Sequence, residues 1–332
     1  MTLRCIAVLV LLLLTGRAAL AVQPDEQSER KAIAQAVTKS FEEGRFDELE
    51  ALSNSFSKDA ARTSSGVPKI VLFMVALSNQ LRQSREADFV RNEQMTEAWF
   101  KRYPASPLAV ALHADALLSH GYFFRGEGPA SSVPSHAWAP FTKYANTAIQ
   151  FLMDNQAIGK RDAIWYCTLI NAARASGWTK SRAMAIADEG VAAFPGDERI
   201  YRTVVEYLLP KWGGSAAELD RFIDAATRKM PGTGSQLYAR LYINASTAQY
   251  ERRLFEESQV NWSRMRQGLE DIIVAYPVPW NLNMFAYYAC VARDKPKLRE
   301  LLNTMGHQVV LGRWEPDAAR TFEICRNWAL AP

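Results

Sequence analysis

A chain of 332 residues with 39 basic and 35 acidic side chains is close to neutral, and its formal charge of +4 gives no general electrostatic pull toward nucleic acid or an anionic membrane. Length alone allows two domains, but a stacked array of repeats can run this long as one body. Part of the surplus charge sits in the first residues. After Arg4 the run from Cys5 to Leu14 is apolar, and Ala19-Leu20-Ala21 supplies a small-residue cleavage site. That pattern predicts a signal peptide over 1–21 and a mature chain over 22–332, periplasmic or secreted. The run is too short for a comfortable membrane span, and no later segment is apolar for longer. Removing Arg4 and Arg17 with the leader takes the 39 basic side chains to 37 against 35 acidic ones, and the charge from +4 to +2.

From Glu26 to Glu43 the spacing of Ile33, Val37 and Phe41 predicts a helix that Gly44 ends. Phe46, Leu49, Leu52 and Phe56 mark a second. Ser57 to Gly66 is small and polar and reads as a loop. A third stripe runs from Ile70 to Leu81 and a fourth from Phe89 to Tyr103. Ser106-Pro107 then opens a fifth helix as cap and first-turn proline, carrying Leu108, Leu112, Ala116, Leu117 and Tyr122. Gly126 to Ser135 is the least regular segment. His136 starts a helix to about Met153, and helical pairs follow: Asp162–Ser176 with Thr179–Phe194, Asp197–Leu209 with Ser215–Met230, and Ser235–Tyr250 with Glu256–Tyr276. Trp280–Arg293, Pro296–Met305 and a closing helix from Pro316 to Trp328 complete the chain. No sustained alternating run appears, so the expected fold is all-α.

The unit from Leu208 to Met230 shows how the pairs are made. Pro210 ends one helix, Gly213-Gly214 closes the turn, and Ser215 with Glu218 three residues on forms a capping-box pattern. Four helices end in a bulky residue followed by proline: Tyr103-Pro104, Phe194-Pro195, Met230-Pro231 and Tyr276-Pro277. The prolines lie 91, 36 and 46 residues apart, and helical repeats occupy roughly 34 to 47 residues per unit. The unit from Trp165 to Pro195 resembles a tetratricopeptide repeat, with Ala183, Gly190 and Pro195 at the spacing of that family's small residues and terminal proline. The later units depart from that pattern, with Leu219 and Met265 in place of the first small residue. The wider set Trp165-Tyr166, Gly177-Trp178 and Leu208-Leu209-Pro210-Lys211-Trp212-Gly213-Gly214-Ser215 also resembles a family of bacterial proteins known only as a domain of unknown function. That resemblance implies no activity.

The chemistry-bearing residues form no known catalytic pattern. His113 and His120, seven apart, share one helical face, with Asp115 and Arg125 nearby, but no metal-ligand spacing is present. Satisfied interface histidines are the preferred reading, and no cofactor is expected. Lys211-Trp212 at a helix start suits an anion, although the capping box already explains the turn. Tyr122, Phe123, Phe124 and Arg125 end a helix before the irregular segment. Successive residues on a helix point about 100° apart, so at least one aromatic should face solvent or be covered by the irregular segment, beside an arginine suited to a peptide carboxylate. The alternative is that the segment folds over its own aromatics as a lid. Three cysteines remain after the leader: Cys167, Cys290 and Cys325. They read first as buried thiols, with a Cys290–Cys325 bridge as the alternative.

The sequence thus predicts an array of antiparallel helix pairs, a tetratricopeptide-like solenoid. As a function it suggests an exported, non-enzymatic scaffold that engages a peptide or protein in its groove. The alternative is a cell-envelope hydrolase or carbohydrate-active enzyme.

Overall fold

The computed structural model describes residues 25–58, 60–126, 128, 132–230 and 232–331. The expected leader, Pro231 and part of the Gly126–Ser135 segment lie outside them. Among the described residues the fold is all-α: there is no strand, only an isolated bridge between Arg62 and Pro68. No described helix is long and apolar enough to cross a membrane.

The first half comprises α1 (Glu26–Glu42), α2 (Phe46–Lys58), α3 (Lys69–Leu81), α4 (Glu86–Arg102), α5 (Pro107–Arg125), α6 (Trp138–Asp154) and the short α7 (Gln156–Gly159). The second half begins with α8 (Ala163–Ala175), α9 (Lys180–Ala193), α10 (Glu198–Tyr207), α11 (Ala216–Arg228) and α12 (Gly234–Ala245). It ends with α13 (Leu254–Glu257), α14 (Trp262–Ala275), α15 (Pro279–Val291), α16 (Lys295–Met305) and α17 (Ala318–Leu330). Neighbours in sequence pack together, and α8, α10 and α12 also touch in succession, with α5 against α8. Helix α5 is apolar all round, as a helix inside a core must be. One of its sides, Val110, Ala114, Leu117 and Leu118, belongs to the larger core that runs through α17. The other, Leu108, Ala109, Leu112 and Ala116, belongs to a smaller core with α1, α2, α3 and Trp99.

The punctuation has a common geometry. Tyr103, Phe194 and Tyr276 end their helices at φ/ψ of −124/63, −133/64 and −139/75, each N–H bonded to the carbonyl four residues back. A following proline excludes the α region for these residues, so the helix stops in the same way three times. The helix before Pro231 ends differently, at Lys229.

Between Leu208 and Glu218 the turn is a 3₁₀ segment, Pro210–Trp212, closed by Gly213 at φ 83°. Gly214 is needed for space instead: a Cβ there would lie 1.9 Å from the Leu208 carbonyl oxygen. The Ser215 hydroxyl accepts from the Glu218 N–H (3.2 Å), but the other half of the expected capping box is absent. The Glu218 carboxylate instead takes the Ser215 hydroxyl (3.0 Å) and Lys180 (2.7 Å).

Three expectations need correction. The helix read as Glu256–Tyr276 is interrupted at Ser258–Asn261, because Ser258 turns extended and Asn261 caps a new helix through the Arg264 N–H (3.0 Å). The helix read to Tyr250 ends its α geometry at Ala245 and finishes in a π-turn. Cys290 and Cys325 are not thiols but a disulfide joining α15 to α17, leaving Cys167 free.

The polar stretch read as a loop also has a different character. Helix α2 runs on to Lys58, and Thr63, Ser65 and Gly66 are buried in a tight hairpin. Gly66, at φ 80°, lies flat against the Tyr276 ring, where a Cβ would approach within 2.4 Å. Glu26 of α1 accepts from the Ser65 N–H (2.9 Å), while the Ser65 carbonyl accepts from Arg240 of α12 (3.3 Å) and Asn281 of α15 (3.2 Å).

Two outcomes test this description. Ser215→Ala should cost about 0.5–2 kcal/mol in chemical denaturation, and Gly214→Val more, because valine collides with backbone. Breaking the bridge with Cys290→Ser and Cys325→Ser opens a loop of 35 residues and should lower stability by about 3–4 kcal/mol, read as a lower melting temperature.

Candidate functional site

The two histidines of α5 face its neighbours α4 and α6. The His113 Nδ1 pairs with the Thr96 hydroxyl (3.0 Å) and its ring stands edge-on to Phe151; burial pushes its pKa down. His120 is 1% exposed, with Nδ1 2.5 Å from Glu93 and its ring stacked between Phe89 and Phe124, beside Tyr144. Both are interface histidines. Among the described residues no three His, Cys, Asp or Glu side chains converge as a metal site.

The end of α5 splits its four nominated residues between two surroundings. Phe123 is 36% exposed and lies against Phe89 and Phe124. Tyr122 is half-buried on the other side, with Arg125. Arg125 has Trp138, not Phe123, as its exposed aromatic neighbour. It is buried, donates to the carbonyls of Gly126 (2.9 Å) and Gly128 (3.1 Å), and lies about equally close to the rings of Trp138, Phe141, Tyr122 and Trp212. The fold therefore brings Arg125 and Trp212 together, two features far apart in sequence. Arg174 covers Trp212 as well, 4.3 Å from the ring centre. Lys211 is bound to the α12 end through the Ala248 carbonyl (2.6 Å) and Gln249 (3.0 Å to its backbone N–H). A guanidinium spread over four rings gains attraction from each quadrupole, so this cluster braces α5, α6 and the Pro210 turn.

Two features were not visible in the sequence. The first is a trough between the α1–α2 turn and α4. Its deeper part, about 160 Å³, is lined by Phe41, Glu42, Gln80, Asp88, Arg91 and Met95. A shallower part of about 410 Å³ continues past Arg91 and Met95 to Phe46 and Ala98. Asp88, Arg91, Asn92 and Met95 follow the three-and-four spacing of one helix face, a pattern that any exposed helix also shows.

The second is a charge cluster where the buried hairpin meets α10 and α12. Glu198, 7% exposed, accepts from Arg62 of the hairpin (2.9 Å) and Arg202 one turn along α10 (3.3 Å). Arg240, 6% exposed, lies beside them and donates its hydrogen bond to the Ser65 carbonyl. Burial alone would raise the Glu198 carboxyl, but Arg202, Arg240 and Arg62 together hold it below its ordinary value. Burial also pulls the Arg240 guanidinium down, with Glu198 opposing.

No protein-family model, curated protein or solved structure matches this chain. Its site residues are therefore assigned from their own surroundings.

Asp115 offers a pH test of the α3–α5 contact. Burial pushes its carboxyl up to about 6 from the ordinary 3.8, against the Ser78 hydroxyl bond (3.3 Å) and Arg82. The folded chain thus keeps a proton that the unfolded chain has released, and stability falls as pH rises through that window. Asp115→Asn should flatten this slope and raise stability at pH 7 by about 1–3 kcal/mol, measured by urea denaturation at pH 4 and pH 7.

Proposed function

We propose that the chain is an exported, non-enzymatic helical-repeat protein that holds a short extended peptide segment of a partner in the trough between the α1–α2 turn and α4. The observation that carries this reading is the shape and lining of that trough. From Asp88 to Ala98 it follows about 15 Å of helix, room for four or five extended residues at about 3.3 Å each. Phe41, Phe46 and Met95 contribute apolar atoms to its lining, while the exposed surface of the deeper part is mostly polar. Its edge carries the exposed amide of Gln94, the amides of Gln80, Gln83 and Asn92, whose NH2 groups already donate within the fold, and charges of both signs from Glu42, Asp88 and Arg91. A ligand with small apolar side chains and a polar backbone matches that lining.

Other features support the non-enzymatic reading. Buried or half-buried carboxylates are committed to structural partners: Glu26 to Arg30, Glu198 to Arg62, Asp162 and Asp197 to Arg199. The thrice-repeated helix ending before proline supports a repeat origin. The apolar leader and the Cys290–Cys325 bridge both favour export to an oxidising compartment.

Selection of random octapeptides displayed on phage tests the reading. Peptides that bind should lose at least about tenfold in affinity for Met95→Arg, which places a charge on the trough floor. Val274→Arg, at an 84% exposed position outside the trough, should bind them as the wild type does. Peptides that bind Met95→Arg unchanged would place the interface elsewhere.

A further inference from the structure

We propose that the arginine cluster around Glu198 is a binding site for a small oxyanion, a carboxylate or a phosphate. It shares no residue with the trough and does not rest on the peptide-binding reading.

The charges around Glu198 do not balance. Arg62, Arg202 and Arg240 surround a single carboxylate, and the two partners that bond it directly are Arg62 and Arg202. Arg240 has no ion pair among the described residues, although it is the most deeply buried of the three. Of the five N–H groups a guanidinium carries, it uses one, in a 3.3 Å bond to the Ser65 carbonyl. The Arg202 Nε is likewise buried with no hydrogen-bond partner. The next charged groups add to the excess: Glu26, which holds the Ser65 N–H, pairs with Arg30, and Arg313 lies within electrostatic reach of both. Asn281 adds an amide that already meets the same Ser65 carbonyl.

A buried donor without an acceptor is costly, as at the Arg202 Nε, and three guanidinium groups around one carboxylate leave positive charge that an anion would compensate. An oxyanion supplies both at once. Its oxygens can take the free donors of Arg240 and the Arg202 Nε in the forked geometry that guanidinium groups share with carboxylates and phosphates. Arg62 and Arg202, 35% and 19% exposed, form the side open to solvent, so the site is reachable without unfolding the hairpin. Glu198 orients the arginines and competes for them, which sets the affinity.

Titration calorimetry of the folded chain, with inorganic phosphate and acetate as probes and chloride at matched ionic strength as control, tests the site. One of the two oxyanions should bind saturably, and which one does identifies the ligand class. Arg202→Gln and Arg240→Gln should each weaken that binding at least about tenfold, whereas Arg228→Gln on the exposed face of α11 should not. Circular dichroism checks that each variant is folded. Glu198→Gln removes the competing carboxylate and should tighten binding, a gain that loss of structure cannot produce. No saturable binding of either oxyanion by the wild type and Glu198→Gln, or equal binding by wild type and Arg202→Gln, would overturn the proposal.

Discussion

The backbone of residues 63–66 is buried without a helix to satisfy it, and much of the molecule is arranged to do so. Buried N–H and C=O groups are expensive when unpaired. Some partners are local, such as the Val67 carbonyl for the Thr63 N–H. The others come from both ends of the chain. Glu26 and Glu29 of α1 accept from Ser65 and Ser64, and Arg240 and Asn281 donate to Ser65 from the far side. The hairpin thereby ties α1 to α12 and α15. Beside it Arg30 and Arg313 each lie 4.9 Å from the ring centre of Trp280. What reads as a connection between two helices is the point where the two halves meet.

That junction clarifies the division of labour among the polar groups. His113, His120 and Arg125 are packed against aromatic rings and bonded to a neighbouring helix or loop, though the buried Nε2 of His120 has no hydrogen-bond partner. The trough beside α4 lies away from the hairpin, and the amides of Gln80, Gln83 and Asn92 at its edge donate within the fold. The Glu198 cluster has some arginine donors bound and others unused.

Much of the helix order is legible in the chain because it depends on local chemistry. Proline after Tyr103, Phe194 and Tyr276, serine at 106 and aspartate at 197 act within a few residues of themselves. The hairpin was not legible, because its partners Glu26, Arg240 and Asn281 stand 39, 175 and 216 residues from Ser65. A stretch of serine, glycine and threonine says that a segment is not helical; it does not say whether water or protein will satisfy it. Arg125 shows the same limit from another side. A basic residue at a helix end beside glycine reads as exposed, yet aromatic side chains from α6 and the Pro210 turn close over it. The trough was hidden because four separate helices build it, and the break at Asn261 because a single capping side chain decides it.

The bridge between Cys290 and Cys325 gives the molecule a mechanical property. Tension applied at the end of α17 does not travel back along α17, the 3₁₀ turn at Leu311–Arg313 and α16. It crosses the disulfide and enters α15 directly, so residues 291–324 stay slack under load. Helix α15 also carries Asn281, which grips the hairpin. Force on the C-terminal helix is therefore delivered to the contact that joins the two halves of the molecule, and the segment between the cysteines carries no load while the bridge is intact.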